Sequence, residues 1–281
     1  PPPGRIPPQP RSESTGTPFV IENRGGRNGN IGTEAAAHPA PDGHTLLFPG
    51  AGLVTNPSLY KKVPYDPVKD FAPVSLMALG PNILAVHPSL PVHSVRELIA
   101  AAKARPGEIG FAGAGSGSTP HLAGELFNSM AGVQMLHVPY KGSGPALVDL
   151  MSGQLQVMFA NITAGLPHIR TQRVRALAVT GPKRTPQAPD LPTVAEAALP
   201  GYSVTSFFGV LAPMGTSAGV VAKLNAEVVK ATQSADVQAS LAQEGAEAVG
   251  SSPEEFAAYI RAEIPRWTAA VKTAGLQGQA K

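Results

Sequence analysis

At 281 residues, 43% of them hydrophobic and 15% charged, the chain has apolar material for a sizeable core and too little charge for a disordered one. Its net charge of +3 comes from scattered Lys and Arg with only 5% aromatic residues, which does not supply the basic track and stacking partners of a nucleic-acid binder. Cysteine is absent, which excludes disulfides, thiol catalysis and thiolate-held metal, and no apolar run reaches the roughly 18 residues of a membrane span.

The opening "PPPGRIPPQP" has neither the charged nor the apolar region of a signal peptide, as expected of a mature or truncated product. "PFVIENR" (18–24) and "HTLLFPG" (44–50) read as strands, with a short helix in "NIGTEAAA" between them. "FAPVSLMAL" and "PNILAVHP" are two further apolar runs, parted by Gly80-Pro81. Ser94 and Glu97 form a capping-box pattern at the start of a helix over 94–107.

From residue 108 the order is regular. Strand "EIGFAGA", helix 119–131, strand "QMLHVPY", helix "GPALVDLMSG", strand "QVMFAN", helix "TAGLPHIRTQ" and strand "VRALAVT" follow one another. This alternation predicts a mostly parallel sheet covered by helices. A β-rich run over 202–213 and three helices, 217–233, 235–245 and 252–275, complete the chain. The expected fold class is α/β with two lobes. Lobe one comprises residues 1–87 and 208–281, and lobe two, 88–207, is inserted into it. Two connections between lobes make a hinge, and the cleft between lobes is a usual ligand site.

The junction "FAGAGSGSTPHLAGELF" (111–127) leaves a strand and enters a helix through Gly, Ser and Thr. It lacks the spacing of a dinucleotide fingerprint, the Lys of a phosphate loop and the Gly-x-Ser-x-Gly of a nucleophile elbow. What remains is a small-residue loop, Ala114, Gly115, Ser116, Gly117, Ser118 and Thr119, at a helix N-terminus, which suits an anion. Two further strand-to-helix junctions, "PYKGSGPA" and "FANITAG", share that character and add Lys141 and Asn161. His121, one turn into its helix, is a candidate contact, as are Phe207 and Phe208 as cleft walls; each has an ordinary alternative as a packed, capping or core residue. His38, His44, His87, His93, His137 and His168 show no metal-binding spacing, so no metal and no cofactor are expected.

"VIENRGGRNGNIGTEAAAHPAPDGHTLLF", "NPSLYKKVPYDPVKDFAPVSLMA", "GSTPHLAGELF", "HVPYKGSGPAL", "LPTVAEAALPGY" and "FFGVLAPMGT" together resemble the Bug-type solute-binding proteins of tripartite tricarboxylate transporters. The resemblance runs from about residue 16 to the C-terminus. It implies a periplasmic, monomeric, two-lobe receptor of the periplasmic-binding-protein type, made with a signal peptide in its precursor, that closes on a small carboxylate and delivers it to a membrane permease. It also implies that two Gly-rich loops pinch the carboxylate through backbone N–H groups. These match Ala114–Thr119, followed by His121, and the loop Pro49–Leu53 with Gly50, Ala51 and Gly52.

Such proteins begin with a strand, a Pro-Gly-Gly loop and a long helix. Here "PPPGRIPPQPRSES" holds six prolines and no helical period, so the expectation is an altered gene start that removes part of the clamp and weakens binding. Two rival functions stand beside the receptor. One is a hydrolase using Ser116 or Ser118 with His121; the other is a sensor or partner protein that signals by closing. The lack of an Asp or Glu within the three loops weighs against the hydrolase.

Overall fold

The computed structural model describes residues 20–115, 117–243, 245–273 and 275–278. The proline-rich front, with the expectation of an altered start, and Ser116 lie outside them. Residues 20–26 are irregular, and most of them are exposed. The strand expected over 18–24 is therefore not present in its described part, because no described segment pairs with it.

A 3-10 turn, Arg27–Gly29, leads into helix α1, Asn30–Ala37. Leu47, expected in a strand, makes only an isolated bridge to Leu211. Helix α2, Gly52–Leu59, follows, and then strand β1, Phe71–Val86. The two apolar runs expected there are one strand, with Gly80 and Pro81 inside it. Its pairing explains the tolerance: Pro81 faces Thr205, whereas Asn82 faces Asn161 on a different strand. A residue with no N–H fits where the partner changes.

Helix α3, Val95–Ala104, starts at Ser94, whose hydroxyl accepts the Glu97 N–H. The capping box is half made, since the Glu97 carboxylate takes the His93 N–H. Strand β2, Gly110–Ala112, precedes helix α4, Thr119–Ala131, which begins at the Ser118 cap and ends at left-handed Gly132. Strand β3, Leu136–His137, helix α5, Ser143–Ser152, strand β4, Val157–Asn161, helix α6, Ile162–Arg170, and strand β5, Arg175–Val179, continue the alternation. Helix α7, Val194–Ala197, strand β6, Thr205–Pro213, helices α8, Ala218–Thr232, and α9, Ala235–Gln243, strand β7, Glu247–Ala248, and helix α10, Pro253–Thr273, complete the described chain.

The strands order as β3-β2-β4-β1-β5, with β6 and β7 also on β1. β2 pairs in parallel with β3 and β4, while β1 is antiparallel to β4, β5, β6 and β7. The strands of the βα units, β2 to β5, thus share one direction as expected, and β1 alone opposes them. Period-2 alternation sorts the two faces. Leu84, Val86, Phe111, Val157 and Phe159 pack with Leu122 and Phe127 of α4, while Ile83, Ala85, Met158, Ala160 and Val179 pack with residues of α5 and α6. Each large side chain fully buried there contributes about 1.5–3 kcal/mol of transfer free energy. Gly124 lets α4 lie flush on the sheet, since a Cβ there would sit 2.0 Å from the Phe111 ring.

Candidate functional site

Because β2, β3 and β4 run parallel, the junctions that follow them share one sheet edge. The first, between β2 and α4, is braced from within. The Gly117 N–H donates to His121 Nδ1 at 3.0 Å, and the Ser118 N–H and Oγ both donate to the Gly115 carbonyl, at 3.1 and 2.6 Å. Ser118 Oγ in turn accepts the His121 N–H as helix cap. The N–H groups of Ala114, Gly115 and Thr119 have no acceptor among the described residues, and they lie at the positive end of α4.

This corrects the expected role of three residues. Gly117 and Ser118 shape the loop rather than offer their N–H groups, because both donors are already engaged. His121 is buried and its ring supports the loop instead of projecting from it; Nε2 lies 3.5 Å from Glu125. The hydrolase pairing of Ser118 with His121 is not formed, since Ser118 Oγ points its proton at Gly115.

The second Gly-rich loop leads into α2. Leu53 N–H bonds the Gly50 carbonyl and Val54 N–H the Ala51 carbonyl, so the helix closes, while Gly50, Ala51 and Gly52 donate to no described acceptor. Gly52 is required by close approach: a Cβ would stand 2.1 Å from the Asn28 carbonyl oxygen. Its own carbonyl accepts from Tyr65 OH at 3.3 Å.

Asn28 joins the two loops. It holds the left-handed conformation, φ 52°, which Asn tolerates better than most residues. Its Nδ2 donates to Asn56 Oδ1 of α2 and to the Gly117 carbonyl, each at 2.8 Å. A Cβ on Gly117 would lie 3.0 Å from Asn28 Nδ2 and 3.2 Å from Leu59, so the β2–α4 junction is pressed against the α2 region. Behind Asn28, Asn56 Nδ2 donates to the Asn28 carbonyl and to Asn30 Oδ1, which also accepts from Tyr65 OH. Burial pushes the Tyr65 phenol up to about 12, so it stays a neutral donor.

At the next junction, the Tyr140 carbonyl lies 3.3 Å from where a Gly115 Cβ would be, which brings the first two sheet-edge loops into contact. Tyr140 OH donates to Asp149 at 2.6 Å, and its phenol is pushed up to about 12 by burial and by that carboxylate. Lys141 beside it is exposed. Asn161 ends β4 and stands at the cap position of α6, yet its side chain makes no capping bond. The ordinary explanation for an Asn there is thereby removed. Beneath the loop, the rings of His121 and His137 stand 3.8 Å apart, and burial with the neighbouring His121 holds His137 down to about 3, hence neutral.

The two aromatic candidates part ways. Phe207 is buried against Phe256 and Tyr259 and is a core residue, which corrects its expected place on the cleft wall. Phe208 faces the other way, 37% exposed and stacked on Phe48, which is itself open and adjoins the 49–53 loop. Asn28, Asn30, Asn56 and Tyr65 were not legible as site residues. The one available signal was "RGGRNGN", where Gly and Asn mark left-handed backbone. Among the described residues, no cluster of metal-ligating side chains occurs and no helix is long and apolar enough to cross a membrane.

The profile of the family described as "Tripartite tricarboxylate transporter family receptor" matches residues 7–276. The chain belongs to this family. BugT of Bordetella pertussis is 40% identical over 265 residues, covering 94% of this chain and 81% of BugT. Among solved structures, Rpa4515 of R. palustris with adipate superposes with a TM-score of 0.87 at 43% identity, covering 95% of this chain and 90% of that one. MatC (Rpa3494) of Rhodopseudomonas palustris with bound malate gives 0.83 at 35% identity, covering 93% and 90%. The family receptor therefore shares its two-lobe periplasmic-binding-protein fold with these proteins.

Proposed function

We propose that this chain is a periplasmic, monomeric receptor that captures a small carboxylate between its two Gly-rich loops and presents it to the membrane permease of a tripartite tricarboxylate transporter. The observation that carries the reading is the position of Asn28, in contact with Gly52 on one side and Gly117 on the other. That contact draws the N-termini of α2 and α4 toward one point. Two sets of unengaged N–H groups at two positive helix ends form a site for a carboxylate and need no charged side chain.

Gly50, Ala51, Gly52, Ala114, Gly115 and Thr119 are the proposed N–H donors, with Lys141, Asn161 and Phe208 facing the rest of the ligand. The lobes are proposed to divide where β1 changes partners, between Pro81 and Asn82, and where the chain returns into β6. Binding of adipate by one relative and malate by another supports a dicarboxylate. Calorimetric titration with mono-, di- and tricarboxylates is the test. At least one acid is expected to bind with micromolar or better affinity and to compact the protein in small-angle scattering; a panel in which none binds removes the reading.

A further inference from the structure

Asn82 is fully buried, and neither its Oδ1 nor its Nδ2 has a hydrogen-bond partner among the described residues. Its backbone is complete: the N–H donates to Thr180 Oγ1 and the carbonyl accepts the Thr180 N–H, both at 2.8 Å. The unpaired group is therefore the side-chain amide alone. A buried amide without partners is unfavourable, and native proteins pair such groups nearly always.

Its place in the fold says where the partner comes from. Asn82 lies directly opposite Asn161 in the antiparallel β1–β4 ladder, so both side chains project from the same face. Next on that face come Leu84 and Phe159, already in the apolar core, so the two amides border it at the end of β4 where the sheet-edge loops gather. Asn82 is also the residue at which β1 leaves β6 and takes up β4. Asn161, opposite, is free of any capping bond.

We propose that Asn82 and Asn161 form a paired-amide subsite that reads a hydroxyl group on the carboxylate ligand. A bare carboxylate only accepts hydrogen bonds and would leave Asn82 Oδ1 unpaired. A hydroxyl both donates and accepts, and so satisfies Oδ1 and Nδ2 together. The subsite rests on the receptor reading above and adds the ligand class, a hydroxylated carboxylic acid.

Matched pairs of acids test it by calorimetry: succinate with malate, and glutarate with 2-hydroxyglutarate. The wild-type chain is expected to bind the hydroxylated member roughly tenfold more tightly, the effect of about one hydrogen bond. Asn82→Leu keeps the side chain's size, is expected to bind both members alike at the affinity of the unsubstituted acid, and in the ligand-free state melts no lower than wild type. Asn161→Ala, at the less buried position, is expected to shrink the preference in the same way. Binding of the acids with no preference for the hydroxyl, or a preference unchanged in both variants, overturns the subsite and leaves the receptor intact. Failure of wild type to bind any of the four overturns the subsite, and the receptor reading is then decided by the wider panel of mono- and tricarboxylates.

Discussion

His121 accepts the Gly117 N–H at 3.0 Å through Nδ1, so the ring of one buried residue fixes the loop that caps its own helix. The ring acts as a brace. Replacing it with Phe keeps the packing beside Phe111 and His137 but leaves the Gly117 N–H without its acceptor. Carboxylate affinity is expected to fall about fivefold to tenfold in His121→Phe, the size of one lost hydrogen bond, with the circular dichroism unchanged. His121→Gln, which can present an amide oxygen, should recover part of the loss. Equal affinities in calorimetry for wild type and His121→Phe would show that the brace does not matter.

Asn28 bridges α2 and the β2–α4 junction through two bonds of 2.8 Å. Asn28→Gly keeps the left-handed backbone accessible and removes both bonds, so the bound state should lose about tenfold in affinity, mainly by faster release. Asn28→Ala removes the same bonds and adds the left-handed penalty of about 1 kcal/mol to folding. Stopped-flow release rates and chemical denaturation separate the two effects. A release rate in Asn28→Gly equal to wild type contradicts the bridge.

His137 gives the stability a pH dependence whose sign follows from its environment. Burial and the neighbouring His121 hold its imidazole down to about 3, against 6.5 for a free side chain. Between those limits the unfolded chain binds a proton that the folded chain refuses. The contribution is therefore complete above about pH 6.5 and declines as pH falls toward about 3, by at most about 1.4 kcal/mol per pH unit. Urea denaturation of wild type and His137→Phe from about pH 7 to about pH 4 is the check. The difference between them should shift steadily in favour of the variant as the solution is acidified; a constant difference refutes the assignment.

Gly124 sets how closely α4, the helix that carries the β2–α4 loop, lies on the sheet. A methyl group there would meet the Phe111 ring at 2.0 Å, and α4 would have to lift from the sheet. Gly124→Ala is expected to cost about 1–3 kcal/mol, a drop of several degrees in calorimetric melting temperature. A melting temperature at or above wild type would mean that the helix accommodates the methyl freely.

Local chemistry made much of the fold readable. Ser94, Ser118 and Ser217 begin their helices and Gly132 ends one, because a hydroxyl cap and a left-handed glycine act within a few residues of themselves. Gly80-Pro81 misled for a tertiary reason: punctuation that would end an isolated strand is accommodated where β1 exchanges one partner for another. The Gly-rich loops were visible as loops, but the division of labour within them was not. Whether the Gly117 N–H meets a ligand or His121 depends on a side-chain rotamer. The Asn28 bridge spans 89 residues to Gly117, a separation at which composition and periodicity carry no information. Phe207 and Phe208 are neighbours with opposite fates, since a strand sends them to opposite faces.

The sharing of β1 between two sets of partners bears on the order in which the molecule assembles. Residues 71–81 of β1 wait for a strand that begins at Thr205, while residues 82–86 find β4 and β5 much sooner along the chain. The segment carrying β2 to β5 can collapse on the second half of β1 first. Its closure then brings Pro81 and Thr205 side by side and turns a long loop search for β6 into a short one. On that order of events, the segment carrying β2 to β5 would serve as the template on which β6 registers. A defect at the Asn82–Thr180 junction would slow the folding of residues far outside it.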